Sequence, residues 1–151
     1  MQFQGRAFGA AFLLPLLGAV GATSVRSQGY PAASTRFVCT VASVTDGDTF
    51  RCRETEATGR EIRVRLSGVS ARERDRSCSP GHPCPVASAE AASAELRRLA
   101  LGQQLQCRLA NMTYGRRAAF CRRSDGLDLS CAMVASGAAA RWDSHWGRHR
   151  C

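Results

Sequence analysis

Two runs, T-D-G-D-T-F at 45–50 and I-R-V-R-L-S-G-V-S-A-R-E at 62–73, decide how this chain is read. Asp46-Gly47 separates two segments rich in β-branched and aromatic residues, Phe37 to Val44 and Thr49 to Arg53. Asp-Gly in that setting signals a hairpin, because a type I′ turn needs positive φ at both central positions. From Glu61 to Val69 the chain alternates: Ile62, Val64 and Leu66 share one face, and Arg63, Arg65 and Ser67 the other. Three consecutive strands follow, apolar on the core side and bearing arginines outside.

Working outward, Arg74 to Pro85 is a loop of Pro, Gly, Ser and Arg. Val86 to Leu101 is alanine-rich, with Glu90 and Glu95 in its first half and Arg97 and Arg98 near its end. These charges complement a helix dipole, and Gly102 is its stop. Gln104 to Leu109 and Arg117 to Arg122 read as strands around a turn at Asn111 to Gly115, and Asp128 caps a short helix from Leu129 to Val134. The expected fold class is mainly β with helices (α+β): a five-stranded OB-fold barrel with one helix between strands 3 and 4 and another at the C-terminal end.

With 151 residues, 44% of them hydrophobic and 22% charged, the chain supports one domain with a real core and is not a disordered protein. Its net charge is +9, and all 21 Lys+Arg residues are arginine. A guanidinium keeps its charge at any accessible pH and matches phosphate oxygens with a planar fork, so a polyanionic partner is expected. Residues 1–22 have the layout of a secretory leader: Arg6, an apolar run from Phe8 to Val20, then small residues. Residues 23–35 read as a linker, 36–143 as the domain and 144–151 as a surface tail.

Eight cysteines follow the leader, an even number suited to a disulfide framework in an oxidising compartment. Eight allow 105 connectivities. Flanking positions suggest Cys39 with Cys52, Cys107 with Cys121 and Cys78 with Cys84, leaving Cys131 for Cys151. A zinc site at Cys78, His82 and Cys84 is the alternative, without a recognisable second half.

The ordered set D-G-D-T at 46–49, R-L-S-G-V-S-A-R-E at 65–73, a helix, Y-G-R at 114–116 and G-L-D-L at 126–129 resembles the staphylococcal-nuclease-like (thermonuclease) family over roughly Phe37 to Arg141. The resemblance implies an OB barrel and calcium-dependent hydrolysis of DNA and RNA phosphodiesters. By it, Glu73 orients or deprotonates the attacking water, Arg65 and Arg116 clamp the phosphate, and Tyr114 lies beside the nucleotide. Asp48 is implied as a calcium ligand, with the Ala71 carbonyl and, where the family has a second carboxylate, Ser70. Asp46 or Asp75 would have to make good that lost carboxylate, and Arg72 is placed to pair with Glu73. Met112 stands where the pattern has an acidic residue. The implied protein is secreted or periplasmic and monomeric, with DNA or RNA as partner and no membrane once the leader is removed. The alternative is a non-catalytic OB module that binds nucleic acid or another polyanion.

Overall fold

Alternation of buried and exposed residues builds the sheet. The computed structural model describes residues 35–54 and 59–151, so the expected leader and residues 23–34 of the linker lie outside it. In β1 (Arg36–Val44), Phe37, Cys39 and Val41 point inward; β2 (Thr49–Glu54) buries Phe50 and Cys52; β3 (Glu61–Leu66) buries Ile62, Val64 and Leu66. These strands pair antiparallel in sequence, Val41 opposite Cys52 and Cys52 opposite Ile62. Further strands, β5 (Gln104–Thr113) and β6 (Arg116–Arg123), complete a closed barrel of order β1-β2-β3-β6-β5, in which only β3 and β6 run parallel. This is the expected OB-like architecture, with the helix α1 (Ala89–Ala100) between the third and fourth barrel strands.

The third strand ends earlier than its alternation suggests. Gly68 has φ of 74°, and a Cβ there would come within 2.9 Å of the Trp146 ring. Past this break, β4 (Val69–Ser70) leaves the barrel and pairs with β7 (Ala140–Arg141). α1 begins after Ser88, whose side chain accepts the Ala91 N–H at 3.1 Å, and not at Val86, which is 99% exposed. Its apolar face, Ala92, Leu96, Leu99 and Ala100, joins the core. The second helix, α2 (Leu129–Ala135), is capped by Asp128 as expected.

The doubly positive turn expected at Asp46-Gly47 occurs instead between β5 and β6. β5 continues to Thr113, and the chain reverses through Tyr114 and Gly115, with φ of 46° and 72°. That doubly positive pattern is the one expected at Asp46-Gly47, yet Gly47 does not have a positive φ. Glycine is required there by crowding: a Cβ would lie 2.5 Å from that of Ala92 and 2.6 Å from that of Ala71.

Four disulfides pair Cys39–Cys52, Cys78–Cys84, Cys107–Cys121 and Cys131–Cys151. With Cys78 and Cys84 bonded to each other, neither thiolate is free for zinc. Four bridges suit an oxidising environment, and no described helix is long and apolar enough to cross a membrane. Residues 144–151 are more than a surface tail. α3 (Asp143–Trp146) delivers Trp146, 5% exposed, into the core, where its ring meets Phe120 edge-on at 6.2 Å.

Candidate active site

Asp48 closes the β1–β2 turn, and Arg65 stands on β3 opposite Thr49. The two side chains meet in a fork, Nη1 to Oδ1 at 3.1 Å and Nη2 to Oδ2 at 3.0 Å. Asp48 Oδ1 also accepts the Thr49 hydroxyl at 2.9 Å, and Oδ2 the Ala71 N–H at 3.3 Å. Burial pushes the Asp48 carboxyl up to about 6, with Arg65 opposing the rise and Asp46 adding to it. Desolvation outweighs the attraction of the paired cation.

Beside this pair lies a cavity of about 250 Å³ whose lining includes Arg65, Arg116 and Tyr114. Arg116 enters from the start of β6, and its Nε is buried without a hydrogen-bond partner among the described residues. Tyr114, held in the left-handed region by the tight hairpin, projects 92% exposed. Arg65, Arg116 and Tyr114, three of the site residues expected from the sequence, therefore line one cavity.

Three further residues in the lining were not expected at this site: His82, read from the sequence only as an alternative zinc ligand, and Trp142 and His145. The Trp142 ring lies 4.0 Å from the His82 ring and 3.9 Å from that of His145, and the Arg65 guanidinium is 5.9 Å from its centroid. His82 arrives on the loop closed by Cys78–Cys84, and the other two follow β7. Burial, then the Arg65 charge, lowers the pKa of the His82 imidazole, with Glu73 opposing the shift. The only sequence signal was the density of Trp and His at 142–149, which did not reveal which face they reach.

Glu73 stands apart from this lining. It is exposed, its Oε1 accepts the Ser79 hydroxyl at 2.8 Å, and its charge acts on His82. The expected Arg72–Glu73 pairing does not form. Arg72 is spent on the carbonyls of Pro85, Arg76 and Ala87, at 2.7, 2.9 and 3.4 Å, because the proline-rich loop offers it unpaired backbone acceptors. Neither candidate substitute for the lost carboxylate joins Asp48 in an open ligand set. Asp46 accepts the Asp48 N–H at 3.1 Å, and Asp75 accepts from Ser77 on the exposed loop.

These residues do not fit calcium as they stand. A calcium site needs six to eight oxygens, several of them carboxylate. Here Asp48 has both oxygens engaged by four donors, and Ala71 presents its N–H to that carboxylate. Ser70 is 2% exposed and offers a neutral hydroxyl at best. The Arg65 guanidinium supplies the positive charge that Asp48 meets. A second group of potential ligands, Asp128, Cys131 and His149, lies elsewhere, and its cysteine is committed to a disulfide.

Compared with family models and with curated proteins, the sequence finds no match, so the resemblance to the staphylococcal-nuclease-like family rests on the motifs described above.

Proposed function

We propose that this protein is a staphylococcal-nuclease-like hydrolase that binds nucleic acid across the Arg65–Arg116 cavity and cleaves its phosphodiester bonds. The observation that carries this reading is the convergence of two arginines, one with an orphaned buried Nε, in a cavity flanked by an exposed tyrosine. A buried, unpaired donor calls for an acceptor, and a phosphate oxygen meets that need. In phosphodiester cleavage, Arg65 and Arg116 oppose the negative charge that builds on the phosphoryl oxygens, while Tyr114 stacks against a base. Glu73, outside the lining but close enough for its charge to act on His82, is the group assigned to orient or deprotonate the water. The four disulfides agree with a secreted or periplasmic protein. A monomer is the form in which a single barrel would carry out this chemistry.

Calcium dependence, which the family resemblance implies, is not supported by the donor set at Asp48, and no step is routed through the ion. The second reading, a nucleic-acid-binding module without catalysis, is favoured by one observation: the Glu73 carboxylate is held by Ser79 outside the cavity lining.

One experiment separates the two. The oxidised protein is incubated with single-stranded DNA and RNA, with calcium and with a chelator, beside Glu73→Gln. Cleavage lost in Glu73→Gln supports the hydrolase, and the chelator arm reads the metal requirement. Intact strands bound with a steep salt dependence support the module.

A further inference from the structure

A second cavity lies outside this site. It measures about 700 Å³ and is lined by five arginines, Arg36, Arg108, Arg122, Arg148 and Arg150, against one carboxylate, Asp128. Arg122 Nε lies 3.3 Å and His149 Nε2 3.1 Å from the Asp128 Oδ2, which accepts no well-directed hydrogen bond among the described residues. Arg36, Arg148 and Arg150 form no ion pair with any described carboxylate.

The fold builds this groove from two directions. On the barrel wall, Arg36 pairs in register with Arg108 and Arg108 with Phe120, so a cross-strand row of outward side chains spans β1, β5 and β6. Over that wall comes the C-terminal segment. His149 stacks on Phe120 at 3.8 Å, its carbonyl accepts Trp146 Nε1 at 2.8 Å, and Cys151 is tied to Cys131. Arg148 and Arg150 are thereby held at the rim. Concentrating like charges on a fixed surface is unfavourable without a counter-charge.

β5 connects this groove to the candidate active site. Gln106 to Arg108 line the arginine groove, Arg108 to Ala110 line an adjoining cavity, and Asn111 and Thr113 line the Arg65–Arg116 cavity. A regular strand rises about 3.4 Å per residue and β5 bulges between Leu109 and Asn111, so Arg108 and Thr113 are at most about 17 Å apart along the strand.

We propose that this arginine groove is a second nucleic-acid subsite, which grips the phosphates of a single strand running along β5 into the Arg65–Arg116 cavity. The proposal rests on the nucleic-acid reading of that cavity and adds a dependence on strand length. A strand long enough to reach both regions gains the groove's contacts; a dinucleotide does not.

The test is the triple variant Arg36→Gln, Arg148→Gln, Arg150→Gln, whose three side chains hold no other element of the fold. An equal-charge control is Arg53→Gln, Arg63→Gln, Arg97→Gln, exposed positions outside the groove. Binding of a 20-nucleotide single strand is measured against salt in chelator, in the Glu73→Gln background. The groove triple is expected to weaken binding at least tenfold and to flatten the salt slope by about 2, at about 0.7 per lost phosphate contact. The control triple is expected to change both much less. On cleavage, the groove triple raises KM for the 20-mer and leaves the rate on a dinucleotide unchanged. Equal losses in the two triples, or no loss in the groove triple, overturn the proposal. The binding arm needs no turnover, so absence of cleavage would sink the hydrolase reading and leave the groove tested on its own.

Discussion

Arg65 grips Asp48 through two contacts, at 3.0 and 3.1 Å, between side chains only 12% and 8% exposed. The pair locks the start of β2 to β3, and the Thr49 hydroxyl and Ala71 N–H complete the shell around the carboxylate. Removing one partner from a buried pair leaves an uncompensated charge, at a cost of about 3–5 kcal/mol. The fold and the candidate site therefore share this contact.

The first prediction concerns pH. Asp48 titrates near 3.8 when unfolded and is raised to about 6 in the fold. Between these values the folded protein holds the extra proton. The group's stabilising contribution is thus full below about pH 4 and is lost as pH rises through about 6, a change on the order of 3 kcal/mol. Denaturant unfolding of wild type and Asp48→Asn across pH 4–7 checks this. Relative to Asp48→Asn, wild type should lose stability steadily as pH rises across that window, on the order of 3 kcal/mol in all; a constant difference, or a gain, would show that Asp48 does not titrate there as stated.

Gly47→Ala tests the crossing of α1 over the turn. Its Cβ would meet the Cβ atoms of Ala92 and Ala71 at 2.5 and 2.6 Å, closer than packed carbons approach. Overpacking of this kind costs about 1–3 kcal/mol. The double variant Gly47→Ala, Ala92→Gly removes one of the two clashes and should recover part of the loss in a thermal melt. A single variant as stable as wild type would mean that the helix yields freely.

Tyr114→Ala separates binding from stability. With Tyr114 92% exposed, the fold should change by less than about 0.5 kcal/mol. Loss of a stacking platform should weaken oligonucleotide binding by about 1–3 kcal/mol per base. Titration of a fluorescent single strand against the variant reads this directly, and unchanged affinity would remove Tyr114 from the proposed interface.

Much of the barrel was legible because its signals are local. Period-two alternation places Val64 and Leu66 inside whatever β3 pairs with, and Asp128 caps α2 through its own neighbours. Cys39 and Cys52 flank one turn, as Cys107 and Cys121 flank another, so the paired strands bring each couple together. Gly47 shows where local reasoning stops. A positive-φ turn and a close helix crossing both select glycine, and the sequence contains nothing that distinguishes them until α1 is packed.

The candidate site divides in the same way. Its residue types, two arginines, a carboxylate and an exposed tyrosine, are written in the chain, as is the loss of a carboxylate at Ser70. Their states depend on contacts between segments far apart in sequence. Pairing of β2 with β3 sets Asp48 beside Arg65, and the Ala71 N–H beyond the Gly68 break helps saturate the carboxylate. The Cys78–Cys84 loop and the segment after β7 bring His82, Trp142 and His145 into one cavity, while Cys151 draws Arg148 and Arg150 over the opposite stretch of β5. By itself the sequence determined the alternating strands, the helix cap and the arginine excess, because each follows from a residue and its near neighbours. Only the tertiary structure decided which charges are paired, which are left facing a groove, and which aromatic rings line it. Those outcomes depend on burial and on distances of a few ångströms between segments that meet only when the barrel closes.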